Sequence, residues 1–273
     1  MINFNIFNSG TLVENNNNKN FIQQNKLETL FIFHGLYGRA RNWNSFAKKL
    51  TLEYQLVVIT VDLRNHGGNE FMEGHSYELM SNDIIKIFNY LNIKNTNVLG
   101  HSMGGKLAML LALTHSHFVN KLIIVDIAPY NYQEIDEDII NNLIDLDLNL
   151  VKNRNDADKF LSITISEKSL RMFLLQNLEL INGSYKWSVN LVTIKKSLSN
   201  LKSFPVPKNY KQNNNKVLCI HGSKSNYVNE ENIDIFKKYF ANISFKKIEG
   251  AGHWLHVEKP ELFYETTSIF LNN

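Results

Sequence analysis

The chain has a single cysteine in 273 residues, so an internal disulfide framework is excluded. Cys219 lies in the apolar run Lys216-Val-Leu-Cys-Ile220, which predicts a small buried hydrophobe in a strand rather than a reactive thiol. No window approaches eighteen uninterrupted apolar residues, so no membrane span is expected. The opening Met1-Ile-Asn-Phe-Asn-Ile-Phe-Asn8 lacks a basic stretch, a long apolar segment and a small-residue cleavage site. No secretory signal is therefore expected, and a cytoplasmic location follows. The 29 basic and 26 acidic residues, net +3, are scattered without a dense Lys/Arg cluster, which excludes nucleic acid as a partner. No Cys/His cluster has metal-ligand spacing, so neither metal nor cofactor is expected. Asparagine runs at Asn15–Asn18 and Asn213–Asn215 are short and are expected to be polar loop tips.

What is present is ample apolar material, 44% hydrophobic and 11% aromatic, enough for one elaborated domain. Short apolar runs bounded by turn signals recur at Thr29–Phe33, Leu56–Val61, Thr96–Leu99, Lys121–Val125 and Lys216–Ile220. Continuous runs of this length suit strands buried on both faces. Helical patterns lie between and after them, at Tyr77–Leu91, Gly104–Thr114 and Pro260–Leu271. The alternation predicts an α/β fold with a mostly parallel central sheet and helices on both faces. The rhythm breaks after Pro129. From Tyr130 to about Pro207 the windows Glu134–Val151, Asp156–Ile165 and Ser169–Ile181 read as helices, and the strand pattern resumes at Val217. This predicts a core of residues 1–129 and 208–273, with an all-helical lid of residues 130–207 over the carboxyl ends of the strands, where open α/β sheets bind ligands.

Gly100-His-Ser-Met-Gly104 follows the run at Thr96 and opens the helix at Gly104. Gly-x-Ser-x-Gly between a strand and a helix is the pattern of a nucleophile elbow, a sharp turn that lifts the serine hydroxyl clear of the backbone. Ser102 is the expected nucleophile. A developing oxyanion needs backbone N–H donors already aimed at it, and the expected pair is Met103, next after the serine, and Leu36 in Phe31-Ile-Phe-His-Gly-Leu-Tyr-Gly38. Near neutral pH a histidine takes the serine proton. His253, in the glycine-rich Glu249-Gly-Ala-Gly-His253 after the strand-like Ile243–Ile248, stands in the expected chain order, with His256 its nearest rival. His34 and His101 lie inside the site loops and are expected to shape them. The acid is open at this point. The place after the next-to-last strand, in Cys219-Ile-His-Gly-Ser-Lys-Ser-Asn-Tyr-Val228, holds Ser225 instead of Asp. Asp126, ending the run at Lys121, can orient the imidazole from the neighbouring position, with Glu230 and Glu231 in reserve. Ser225 can support the pair but supplies no charge. Asp62 is expected to tie the loop after its strand.

These residues together resemble the α/β-hydrolase esterases of the YbfF type, related to the eukaryotic abhydrolase-domain protein eleven. The likeness runs from about Leu30 to Leu271 and is most specific at Val61-Asp-Leu-Arg-Asn-His-Gly67, Gly100-His-Ser-Met-Gly-Gly-Lys106, Val125-Asp-Ile-Ala-Pro129 and Gly250-Ala-Gly-His-Trp-Leu-His-Val-Glu-Lys-Pro260. The resemblance implies an α/β-hydrolase fold, cofactor-free hydrolysis of small acyl esters or acyl thioesters, an acid at Asp126 and a serine at Ser225. The chain departs from the family at Gly68-Asn-Glu70 and in its asparagine-rich loops. Two other readings stand beside the esterase or thioesterase. A carbon–carbon bond hydrolase shares the triad, and a non-catalytic binding protein can use the same fold, although such a protein usually lacks the serine or the histidine.

Overall fold

A computed structural model of the chain describes residues 1–13, 22, 27–133 and 137–273. The asparagine run 15–18 and the start of the helical window at 134–136 lie outside the described residues. The main sheet contains β1 (Phe4–Asn8), β2 (Thr11–Val13), β3 (Glu28–Phe33), β4 (Leu56–Val61), β5 (Thr96–His101), β6 (Val119–Val125), β9 (Asn213–Gly222) and β10 (Phe240–Ile248). Their order across the sheet is β10-β9-β6-β5-β3-β4-β1-β2. Pairing is parallel from β10 to β4, and β1 runs antiparallel to both β4 and β2.

The unbroken apolar runs have a geometric cause. Successive strand side chains point to opposite faces, and both faces here are covered. In β3, Phe31 and Phe33 enter one core while Leu30 and Ile32 enter the other; in β6, Leu122 and Ile124 separate in the same way from Ile123 and Val125. Helices α2 (Tyr77–Tyr90) and α3 (Met103–Thr114) cover the first face, and α1 (Asn44–Glu53) the second. After β4 the chain crosses over β3 to form β5, so α1 and α3 leave neighbouring strands toward opposite faces. Such a switch point leaves a crevice beyond the strand ends. The register aligns those ends, with Gly100 opposite Phe33 and Ile124, and Val125 opposite Ile220.

Between β6 and β9 the described residues form α4 (Glu137–Asp145), α5 (Arg154–Leu161), α6 (Lys168–Leu175) and α7 (Leu191–Lys202), with a hairpin of β7 (Leu178–Ile181) and β8 (Ser184–Trp187) between α6 and α7. The all-helical expectation is therefore corrected. The window Ser169–Ile181 turns out of helix at Gln176, and Asn182 and Gly183 at the hairpin tip have φ of 51° and 79°, the left-handed geometry of a tight two-residue turn. The asparagine run at 213–215 is also not a loop tip. It opens β9, where buried Asn213 donates to the Ala112 carbonyl near the end of α3 (2.8 Å) and Asn215 donates to the Val119 carbonyl. The amides serve carbonyls that helix and sheet leave unpaired. The chain continues through α8 (Glu230–Tyr239), β10, a short α9 (Leu255–Glu258) and α10 (Pro260–Asn272), which packs on the face of α1. Buried Cys219 lies within β9. Among the described residues no helix is long and apolar enough to cross a membrane.

Candidate active site

Ser102 caps the start of α3 with φ 52° and ψ −118°, a strained backbone that persists only where neighbours over-determine it. Its amide donates to the Val125 carbonyl (3.0 Å), and its carbonyl accepts from Gly105 (2.8 Å) and Lys106 (3.1 Å). A side chain at Gly100 would strike the Gly104 carbonyl, and one at Gly104 would strike the Phe33 carbonyl. The two glycines thus let β5, the elbow and β3 approach closely. Met103 is the first helical residue, so its N–H has no acceptor within α3 and opens the helix N-terminus toward the cavity it lines. Leu36 lines the same cavity from the loop after β3. That loop is turned by Gly38 N–H bonding to the Gly35 carbonyl (2.9 Å).

Asp126 follows β6 with φ 52° and is fully buried. Every oxygen of its carboxylate is engaged. Oδ1 accepts from the Gly222 amide (3.1 Å), and Oδ2 accepts from Ser225 Oγ (2.5 Å) and His253 Nδ1 (2.7 Å). The structure thus brings Asp126, Ser225 and His253 together at the carboxyl ends of β6, β9 and β10. Ser225 Oγ also accepts the Tyr227 amide (3.3 Å), which leaves its proton for the carboxylate. With Nδ1–H committed to Asp126, His253 carries its lone pair on Nε2, the tautomer a base for Ser102 requires. His253 and Ser102 line one cavity of about 470 Å³.

Tyr227 and Glu258, outside the sequence expectation, and His101, expected to shape its loop, fix this imidazole. Tyr227 stacks on it at 4.2 Å and 29°. His101 donates Nε2–H to the His253 carbonyl (2.9 Å), and burial holds the His101 pKa well below its usual value, keeping that ring neutral. The Glu258 carboxylate accepts the amides of Gly252 (2.7 Å) and Trp254 (3.2 Å) on either side of His253. Glu258 lies within the Gly250–Pro260 motif and Tyr227 in no motif, and neither showed its role there, since each acts through a fold-dependent approach. His256 stacks flat on Trp43 (4.5 Å, 11°), where burial holds its pKa down at about 3. Glu230 and Glu231 are exposed in the first turn of α8, with no bond to His253. Asp62 accepts the Ala40 amide (2.7 Å), tying the loop after β4 to the residues after the Leu36 loop. Asn69, one of the departures from the family, is buried and bridges the Asn3 amide (2.7 Å) to the carbonyls of Asp62 (2.7 Å) and Leu63 (3.1 Å).

Lys106 is 1% exposed. Its ammonium donates to the carbonyls of Leu201 (3.3 Å), Lys202 (2.7 Å) and Ser203 (3.3 Å) at the end of α7 and lies 4.7 Å over the Tyr132 ring. Burial pushes its pKa down to about 7. The unpaired carbonyls and negative end of α7 favour the charged form. A lysine inside the otherwise apolar α3 was a visible signal, within the motif that carries the family likeness.

With this geometry in view, the comparisons with known proteins are direct. The profile of the alpha/beta hydrolase fold family matches residues 28–260. The chain belongs to the α/β-hydrolase family. It is 32% identical to the sn-1-specific diacylglycerol lipase ABHD11 of Mus musculus, over 90% of this chain and 81% of that protein. It is 28% identical to Esterase YbfF of Escherichia coli, over 92% of this chain and 95% of that protein. Among solved structures, a marine microorganism esterase superposes with a TM-score of 0.88 at 33% identity, covering 98% of each chain. This α/β hydrolase thus has relatives named as an esterase and as a lipase.

Proposed function

We propose that this α/β hydrolase is a serine carboxylic ester hydrolase, cleaving esters or acyl thioesters of small or acyl-CoA-like substrates through an acyl-enzyme on Ser102. The observation that carries the proposal is the His253 Nδ1–H bond to buried Asp126 (2.7 Å), in a cavity shared with a serine on a strained strand-to-helix turn. In this reading His253 Nε2 takes the Ser102 proton as Oγ attacks the carbonyl carbon. Asp126 stabilises the imidazolium, and the amides of Leu36 and Met103 receive the oxyanion. Collapse expels the alcohol or thiol, which takes the proton from His253. Water, activated by the same imidazole, then releases the acid. Ser225 supports the carboxylate.

The reading divides the chain into a core of residues 1–129 and 208–273 and a lid of residues 130–207. Support comes from Tyr132, Ile139, Leu170, Phe173 and Leu201, which line the cavity from the segment between β6 and β9. A pocket of this volume with mostly apolar walls is of the size that holds a small organic ligand, and the names of the relatives favour ester substrates. A fluorophosphonate probe tests the nucleophile. Labelling of the wild-type protein at Ser102, with loss of both label and esterase activity in Ser102→Ala, is expected; full labelling or activity in that variant would overturn the assignment. A panel of esters and coenzyme A thioesters of graded chain length then defines the acyl group and the bond.

A further inference from the structure

The residue after Leu36, Tyr37, has a left-handed backbone with φ 60°. A bulky side chain holds that conformation only where the surroundings impose it, and Tyr37 is gripped at both of its peptide groups. From the core, His66 Nε2 accepts the Tyr37 N–H (3.2 Å), while His66 Nδ1–H donates to the Arg64 carbonyl (2.9 Å) and so sets the tautomer. From the segment between β6 and β9, Asn177 donates Nδ2–H to the Tyr37 carbonyl (2.7 Å) and to the Leu174 carbonyl (3.3 Å). Both neighbours of that nitrogen are carbonyls, so only the amide nitrogen fits there. Asn177 is 1% exposed. Its backbone carbonyl accepts the amide (2.8 Å) and hydroxyl (3.1 Å) of Ser188, tying the turn after α6 to the end of β8. At the rim, Arg39 reaches the Gln176 carbonyl (3.3 Å) and the Glu179 carboxylate (2.7 Å), and Arg41 reaches the same carbonyl (2.9 Å).

We infer that Asn177 is a positioning residue for the oxyanion hole: the segment that covers the cavity also clamps the loop that supplies the Leu36 amide. The inference rests on the serine-hydrolase reading. Without the Asn177 bond the Tyr37 carbonyl loses this donor, and the strained backbone relaxes toward a more populated conformation, carrying the Leu36 N–H away from the developing charge. Asn177 does not itself line the substrate cavity, although Leu36 and Tyr37 do, so the substitution removes no side chain from its wall. The effect therefore falls on the transition state rather than on ground-state binding.

The test measures Asn177→Ala on a short activated ester, with kcat expressed per active site titrated by fluorophosphonate, beside the inhibition constant of a trifluoromethyl ketone, whose hemiketal places an oxyanion in the hole. Removing an oxyanion donor outright costs about 10²–10³-fold in kcat, and a displaced donor costs part of that. The expected result is a fall in kcat of about 10- to 100-fold, KM within about threefold, and a matching rise in the inhibition constant. Unchanged kcat per titrated site and unchanged inhibition overturn the inference, even where fewer sites titrate, because fewer sites of normal quality mark a stability role alone. If Asn177→Ala does not fold, Glu179→Gln at the rim serves in its place. A three- to tenfold loss of kcat per site, roughly a third of the donor's full effect on the logarithmic scale, supports the clamp, and no loss overturns it. Ser102→Ala is run in parallel. Wild-type turnover in that variant sinks the serine mechanism itself, an outcome separate from failure of the clamp.

Discussion

The buried carboxylate of Asp126 is surrounded by the Gly222 amide, the Ser225 hydroxyl and the His253 imidazole, so each neighbour's removal has a distinct consequence. Asp126→Asn keeps the shape but presents a neutral group that can turn a donor toward His253 and favour the wrong tautomer. Turnover is expected to fall on the order of 10²–10⁴-fold with the protein still folded, measured as kcat on an activated ester. Ser225→Ala leaves the charge and the His253 bond in place and is expected to cost much less, on the order of tenfold, the lower end for one hydrogen bond to a charged group. Glu230→Gln and Glu231→Gln, on an exposed helix turn, are expected to be silent; abolished turnover in either, with Asp126→Asn nearly silent, would move the acid to the end of β9. His253→Ala is expected to cost on the order of 10⁴–10⁶, and combining it with Ser102→Ala should add little, since such residues act as a unit.

At the scale of elements, the segment between β6 and β9 meets the strand ends through polar stitches and an apolar wall. Lys106 gathers the last carbonyls of α7, while Tyr132, whose ring it covers, receives the Ala128 amide (2.9 Å) and donates to the Tyr227 carbonyl (2.6 Å). Both stems of the segment are thereby joined to the helix that Ser102 opens and to the tyrosine stacked on His253. Lys106→Met keeps the stem's bulk and removes the charge. It is expected to strip three carbonyls of their donor and to destabilise the protein by about 1–3 kcal/mol, readable as a shift of the urea midpoint. Phe173 and Leu170 belong to the apolar wall. Phe173→Ala is expected to move the chain-length optimum of the ester panel while changing the rate on an acetyl ester little, because a pocket discriminates roughly 1–3 kcal/mol per methylene. Equal losses at every chain length would show that Phe173 does not touch the acyl group.

Across the whole molecule, folding takes four histidines, His34, His66, His75 and His101, out of water with at most 5% exposure. Burial lowers the pKa of His34 to about 4 and of His66 to about 3, against about 6.5 for a solvated imidazole. As pH falls below 6.5 the unfolded chain binds protons before the folded one does, so stability that is complete above that value declines toward pH 4 and below. Each unit between the solvated pKa and the working pH is worth about 1.4 kcal/mol per group, so His34 and His66 together withhold roughly 4 kcal/mol at pH 5. The melting temperature is expected to fall by on the order of 10 °C between pH 7.5 and pH 5. His66→Gln, which retains an acceptor for the Tyr37 amide, should flatten that slope; a flat profile in the wild-type protein would show that these imidazoles are not buried neutral.

Local order in the chain already determined much of this protein. Period-two exposure to two apolar layers makes Thr29–Phe33, Leu56–Val61 and Lys121–Val125 legible as buried strands. The Gly-x-Ser-x-Gly turn between strand and helix is a local necessity of placing Ser102, and the position of His253 follows from its glycine-rich loop. What was not legible depends on pairing between residues far apart in sequence. Met1–Asn8 gave no sign of an antiparallel strand beside β4, because that assignment comes from its bonds to β4. The hairpin after Gln176 was hidden inside a helix-like window, since Ser188 and Tyr37 decide where α6 ends by the bonds they share with Asn177. Asp126 could be favoured from sequence over Glu230 and Glu231, but its contact with His253, 127 positions further along the chain, could not be read there. The parallel registers of β6 beside β9 and of β9 beside β10 bring the two within 2.7 Å, and no local propensity encodes those registers.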